Sequence, residues 1–195
     1  SSLRGVPPKA GRRSNLKKRV VTKIFSKDKD WVLLIGYVAL IYGTLQFMPL
    51  VNSFFSSLLG RYFGSVSNVI LITVIAIIFV IICKCKPAIK NPTLFYAAMS
   101  LIFASYLTLL LFAMPIVAEK MHLLEYGFLS YLALRAVKRS QSLYAVLIII
   151  IVGSLDELIQ GVTPGRFCEL KDVILNVVSG ILGLFMLKLL KGRYA

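Results

Sequence analysis

The stretch NVILITVIAIIFVIIC, Asn68–Cys83, decides the fold class. None of its residues is charged at neutral pH, and with its flanks it reaches the length of about 20 apolar residues that a helix needs to cross a bilayer core. No charge occurs between Arg61 and Lys84, nor between Lys90 and Glu119. Trp31–Val51 and Leu94–Ala118 have the same lipid-compatible character. Helix is the expected state of all three, because isolated strands leave backbone groups unpaired in hydrocarbon. Three further segments, roughly Glu119–Val137, Gln141–Gly161 and Leu170–Leu190, have the length of a span but carry acids or other polar groups toward one end.

Composition supports the same class. The chain has 195 residues, 58% apolar and 16% charged, against about 45–50% and about 25% in soluble domains. That excess of apolar residues cannot be hidden in one soluble core of this length. A soluble enzyme, a fibrous protein and a disordered chain are excluded. The expectation is an all-α polytopic membrane protein of about six transmembrane helices.

The net charge of +15 matters through its location. Residues 1–30 carry ten Lys/Arg and only Asp28 and Asp30 in return, broken up by Gly, Pro and Ser. They read as a flexible, solvated basic tail beside the first span, suited to an anionic cytoplasmic leaflet. A nucleic-acid-binding arm would interleave aromatics for base stacking; none are present, so no nucleic acid partner is assigned. Residues 31–195 form the membrane domain. Three Lys/Arg fall in each of the segments around Lys84–Lys90, around Arg135–Arg139 and from Lys188 onward, which with the tail puts 19 on one side. The segments holding Arg61, Lys120, and Arg166 with Lys171 put 4 on the other. By the positive-inside rule both termini are cytoplasmic. No cleavable signal peptide is visible. The start at Ser1 fits processing, an artificial start or a removed transit peptide, and the expected location is a bacterial cytoplasmic membrane or a plastid membrane.

Six of the eight acids lie outside the tail: Glu119, Glu125, Asp156, Glu157, Glu169 and Asp172. In the six-span arrangement all fall at or near the external ends of the last three spans, with His122, Tyr126, Gln160, Arg166 and Asn176. Ionisable groups inside a span are costly and mark functional or paired sites. Helical spacing puts Glu119, His122 and Tyr126 on one face, with Glu125 at its margin. Asp156 aligns with Gln160, and Asp172 with Asn176 and the small residues Ser179, Gly180 and Gly183, a stripe that permits close helix packing. These faces are expected to form one outward pocket beneath the loop containing Pro164-Gly165-Arg166.

His122-x3-Tyr126, Asp156-Glu157-x2-Gln160, Pro164-Gly165-Arg166 and Asp172-x3-Asn176-x3-Gly180-x2-Gly183 together resemble the VanZ-like family of small integral membrane proteins. The resemblance covers about residues 119–185. It implies a site and a membrane location rather than a chemistry.

For each candidate a structural role stands beside the chemical one. His122 is a general base or a hydrogen-bonding strut; a carboxylate neighbour would orient it. Asp156 and Glu157 are an acid/base pair, since adjacent buried carboxylates do not both ionise cheaply, or they pair with His122 and Arg166 to join helices. Arg166 clamps an anion or neutralises those acids. Glu119, Glu125, Tyr126, Gln160, Asp172 and Asn176 complete the ligand-binding set. No metal or cofactor is assigned; one His among carboxylates would suit Mg²⁺, Mn²⁺ or Ca²⁺ better than Zn²⁺. Cys83 and Cys85 lie at the opposite membrane face from Cys168, so no disulfide framework is implied. Tyr37, Tyr42 and Trp31 read as interface anchors. Two functions compete. The pocket favours binding of, or action on, an external amphiphilic or lipid-linked ligand. The tail and the clean spans within 31–118 favour a non-catalytic assembly subunit docking other membrane proteins. A proton relay lacks a polar path through the cytoplasmic halves.

Overall fold

The computed structural model describes residues 10–84, 91–114, 116–137, 141–163 and 168–191. Seven helices follow in order among them: α1 Ala10–Leu45, α2 Met48–Leu59, α3 Phe63–Lys84, α4 Pro92–Thr108, α5 Val117–Ala136, α6 Ser142–Gly161 and α7 Leu170–Lys191. No strand occurs among the described residues. The fold is all-helical, as the sequence requires.

Two features differ from the expected spans. Helix α1 does not stop at the membrane boundary but extends through residues 10–30, the stretch read as a flexible tail. From Ala10 onward that stretch has no proline to interrupt it. At its other end α1 closes at Leu45, so Trp31–Val51 is not one helix and residues 48–51 belong to α2. The cause is Pro49, which lacks an N–H and whose ring collides with the carbonyl four residues earlier, that of Leu45. Phe47 N–H instead turns back to Thr44 O at 3.0 Å. Pro49 then fits the first turn of α2, where no intrahelical donor is needed. Gly60, with φ +52°, turns the chain from α2 into a single 3₁₀ turn and α3. That conformation suits a residue without Cβ.

Helix α4 passes into one wide π turn, Leu109–Ala113. Met114 is extended, as the residue before a proline tends to be, so the third span ends short of the expected Ala118. Pro115 lies outside the described residues, as do residues 1–9, the segment 85–90 with Cys85, Lys138–Arg139 and the C-terminal 192–195.

Four segments have the length and apolarity to cross a membrane: Met48–Lys84, Pro92–Ala113, Ser142–Gly161 and Leu170–Leu190. Helix α5 is not among them, because Glu119, Lys120, His122 and Glu125 lower its hydropathy. Its position explains how they are tolerated. α5 is the centre of the bundle, touching α1, α2, α3, α6 and α7. One core on its flank joins α1, α5, α6 and α7 around Leu34, Leu129, Ile149 and Leu184. The other joins α3, α4, α5 and α7 around Ile75, Met99, Leu110 and Leu123. By contrast α2 buries none of its residues, and Leu50, Phe54 and Leu58 are each more than 60% exposed.

The small-residue stripe of α7 acts as a packing surface. A Cβ on Gly180 would stand 2.6 Å from Ile149 of α6. One on Gly183 would collide with Ser130 Oγ and meet Gly127 O of α5 at 3.0 Å. Gly180 thus admits the Ile149 side chain, and Gly183 admits the backbone of α5 itself, the close approach that small residues permit. At the other end of the bundle Arg135 Nη2 donates to Asp30 Oδ1 at 2.5 Å and its Nη1 to Tyr131 OH at 3.1 Å, tying α1 to α5. Gly183→Ala is expected to lower thermal stability in detergent by about 1–3 kcal/mol through overpacking. Gly43→Ala, with nothing within 4 Å of the added methyl, is expected to be neutral or slightly stabilising. Paired melting curves read the difference.

Candidate functional site

The polar side chains gather where α5 begins, α6 ends and α7 begins. At the centre is Asp156, fully buried. Its Oδ2 accepts from Tyr126 OH at 3.0 Å and, at the 3.5 Å limit, from Asn176 Nδ2. Three helices therefore converge on one oxygen. Gly153, one turn earlier on α6, makes room for them: its missing Cβ would lie 3.3 Å from Asn176 Cβ and 3.4 Å from the Tyr126 ring.

His122 is also buried. Its Nδ1 stands 3.0 Å from Glu125 Oε2 and 3.7 Å from Asp156 Oδ2. Glu125, one turn further along α5, thus reaches back from the margin of that face to the imidazole. Glu157 is buried but turned to a different set of partners. Gln160 Nε2 donates to its Oε1 at 3.2 Å, and the backbone N–H of Glu169 donates to its Oε2 at 3.3 Å. The two adjacent acids consequently belong to separate networks, one joining α5, α6 and α7, the other closing the α6–α7 connection. Glu119 lies in the first turn of α5, where an acid complements the helix dipole, and Lys171 Nζ of α7 is 3.6 Å from its Oε2. Asp172 occupies the first turn of α7. Arg166, with Pro164 and Gly165, lies outside the described residues. Among the described residues no three His, Cys, Asp or Glu side chains are arranged to hold a metal ion.

A buried carboxylate requires donors to offset its lost hydration. Asp156 receives them on Oδ2 only. Its Oδ1 and the Asn176 Oδ1 are buried acceptors with no hydrogen-bond partner among the described residues. Such orphaned atoms are uncommon in folded proteins and call for a ligand, an ion or a water to complete them.

Three residues escaped the sequence reading. Tyr37 and Tyr42 donate to backbone carbonyls, Tyr37 to Glu125 O at 3.1 Å and Tyr42 to Val152 O at 3.0 Å. Tyr106 of α4 does the same to Ser179 O of α7 at 2.8 Å. A phenol buried in a bundle needs an acceptor, and here main-chain oxygens supply it. The mid-span position of Tyr106, far from either interface, was the available signal.

The arrangement defines a class: an all-helical integral membrane protein with a buried polar cluster at one end of its bundle. A family model described as VanZ/LLP1 matches residues 90–191, more than half of the chain, and the chain belongs to that family. The match takes in α4 as well as α5–α7, a wider unit than residues 119–185. No curated protein and no solved structure matches the chain.

Tyr126→Phe removes a donor from a fully buried carboxylate and is expected to cost about 1–3 kcal/mol of stability. Lys171→Ala, breaking a long ion pair at a lysine nearly half exposed, is expected to cost under about 1 kcal/mol. Thermal unfolding of the two variants in one detergent makes the comparison.

Proposed function

We propose that the cluster around Asp156 is a binding site for the headgroup of an external amphiphilic or lipid-linked ligand. The observation that carries this reading is the pair of buried, unpartnered acceptor oxygens, Asp156 Oδ1 and Asn176 Oδ1, on facing helices beside His122. Acceptors without donors select a guest that brings hydroxyl or ammonium hydrogens. The residues also have the parts for proton transfer. With Glu125 Oε2 placed to accept the hydrogen of His122 Nδ1, Nε2 is the ring nitrogen left to act as base. In this reading His122 acts as base, Asp156 or Glu157 as acid, and Arg166 holds an anionic group of the ligand from the loop above. Glu119, Tyr126, Gln160, Asp172 and Asn176 shape and support the site.

The reading includes a topology. Helices α1, α3, α4, α5, α6 and α7 are the six spans, both termini are cytoplasmic, and α2 lies in the outer interface with its apolar side toward lipid. Trp31–Leu45 rises only about 22 Å at 1.5 Å per residue, less than the about 30 Å hydrocarbon core. The cluster would then sit in a shallow recess that a headgroup can enter. With the native cysteines replaced by Ser, Arg61→Cys and Thr163→Cys are expected to react with an impermeant maleimide from outside. Lys29→Cys is expected to react only after permeabilisation, and the reverse pattern would overturn the orientation.

The ligand test uses the protein extracted from its membrane in polymer nanodiscs, with bound amphiphiles read by mass spectrometry. Asp156→Asn, His122→Ala and Arg166→Ala are expected to lose one headgroup species while the protein stays in the membrane at normal abundance. Unchanged bound species would refute the site. Disappearance of all three variants from the membrane would make the cluster purely structural.

The assembly-subunit reading keeps one supporting observation, the continuation of α1 through the basic residues 10–30, a rod of about 30 Å that a partner subunit could grip. Deleting residues 1–30 leaves bound amphiphiles unchanged under the first reading. It collapses a larger complex on native gels under the second.

A further inference from the structure

A second site is built on another face of α5. Lys120, Leu124, Gly127 and Tyr131 recur at helical spacing and form one stripe. On α3, Asn68, Ile75 and Phe79 form another. The two helices run in the same direction and are pinned together near their N-terminal ends, where Lys120 Nζ donates to Asn68 Oδ1 at 2.6 Å. Below that contact the stripes part around a cavity of about 530 Å³. Its walls include Ile75 and Phe79 of α3, Leu124 and Phe128 of α5, Tyr37 of α1 and Met186 of α7. Phe128, Val74 and Ile78 on its rim are 36–49% exposed, so the cavity is a groove open at the side of the bundle. Its volume is that of an ordinary small-molecule site. The tyrosine hydroxyls near it are engaged: Tyr37 on Glu125 O, Tyr106 on Ser179 O, and Tyr131 accepting from Arg135. Glu125, the one acid on the wall, reaches to His122. What remains for a guest is hydrocarbon surface.

Lys120 supplies the other half. It is 5% exposed, an ammonium with three donors, and among the described residues its hydrogen bond is to a neutral amide oxygen, Asn68 Oδ1. The adjacent carboxylate, Glu119, is turned to Lys171 instead. No carboxylate among the described residues pairs with Lys120. A buried cation of this kind is costly unless an anion meets it. It stands one turn N-terminal to Leu124 on α5, outside the cavity's lining and next to that end of it.

A cation heading an apolar groove in a membrane bundle matches one chemistry. We propose that this face binds an anionic phospholipid, its phosphate on Lys120 and Asn68 and one acyl chain in the groove between α1, α3 and α5. The site borders the Asp156 cluster through Glu125, which lines the groove and bonds His122, but its ligand contacts are its own, and it stands whether or not that cluster binds a headgroup. The phosphodiester supplies acceptors for the donors Lys120 has left and the charge that offsets its burial. The chain covers the gap between α1 and α3 that the protein's own side chains leave over α5.

Native mass spectrometry of the full chain in detergent, titrated with dioleoylphosphatidylglycerol or dioleoylphosphatidylcholine, tests it. Wild-type protein is expected to retain one phosphatidylglycerol at least about tenfold more strongly than phosphatidylcholine, the scale of a lost charge-assisted contact. Lys120→Gln is expected to abolish the preference and Lys120→Arg to restore it. Val74→Trp, which fills the groove from its half-exposed rim, is expected to reduce retention of both lipids without touching Lys120. Equal retention of the two lipids by wild type would mean annular lipid only and overturn the proposal. So would a preference that survives Lys120→Gln. If Lys120→Gln fails to fold, Val74→Trp decides alone: retention unchanged from wild type refutes the groove.

Discussion

A charged or hydrogen-bonding group inside a bilayer must find its partners within the protein, and Asp156 shows how far the bundle is organised by that demand. Its single oxygen Oδ2 is approached by Tyr126 from α5 and Asn176 from α7, with His122 close behind. The requirement propagates outward. Tyr126 and Asn176 pack closely over Gly153, where a Cβ would lie 3.3–3.4 Å from them. Gly180 and Gly183 then let the backbone of α7 press against α6 and α5. The small residues and the polar residues are therefore two parts of one arrangement, the first setting the distance at which the second can bond.

The same demand explains why α5, the helix that brings most of the charged groups into the bundle, is the most enclosed. α5 carries Glu119, Lys120, His122 and Glu125, and it is wrapped by five other helices. Its neighbours take the lipid contact. α3 and α4 can be almost wholly aliphatic and aromatic because they have little polar surface to serve. The polar residues on α5 divide by face. Glu119, His122 and Tyr126 look toward α6 and α7, while Lys120 looks toward α3.

Much of this was legible in the sequence. The uncharged run from Arg61 to Lys84 required a membrane helix, and its period made no appeal to tertiary structure. The three- and four-residue spacing of Glu119, His122 and Tyr126 fixed a shared face, and the glycines of α7 announced a close approach. What escaped was whatever depends on rotamers or on distant partners. Spacing could not tell that Glu125 bends back to His122, because positions 122 and 125 are as compatible with divergence as with a hydrogen bond. Nor could it separate Asp156 from Glu157, whose partners come from α5 and α7 in one case and from the α6–α7 connection in the other. The end of α1 at Leu45 was readable from Pro49, but hydropathy ran smoothly past it and obscured the break.

The three phenols that dock α1 and α4 share a property with a further consequence. Tyr37, Tyr42 and Tyr106 all donate to main-chain oxygens, those of Glu125, Val152 and Ser179. An acceptor of that kind is present whatever residue occupies the position. The peripheral helices are thus latched to the scaffold itself and not to the side chains that decorate it. Positions 125, 152 and 179 are free to exchange chemistry during divergence without releasing the helices that enclose them.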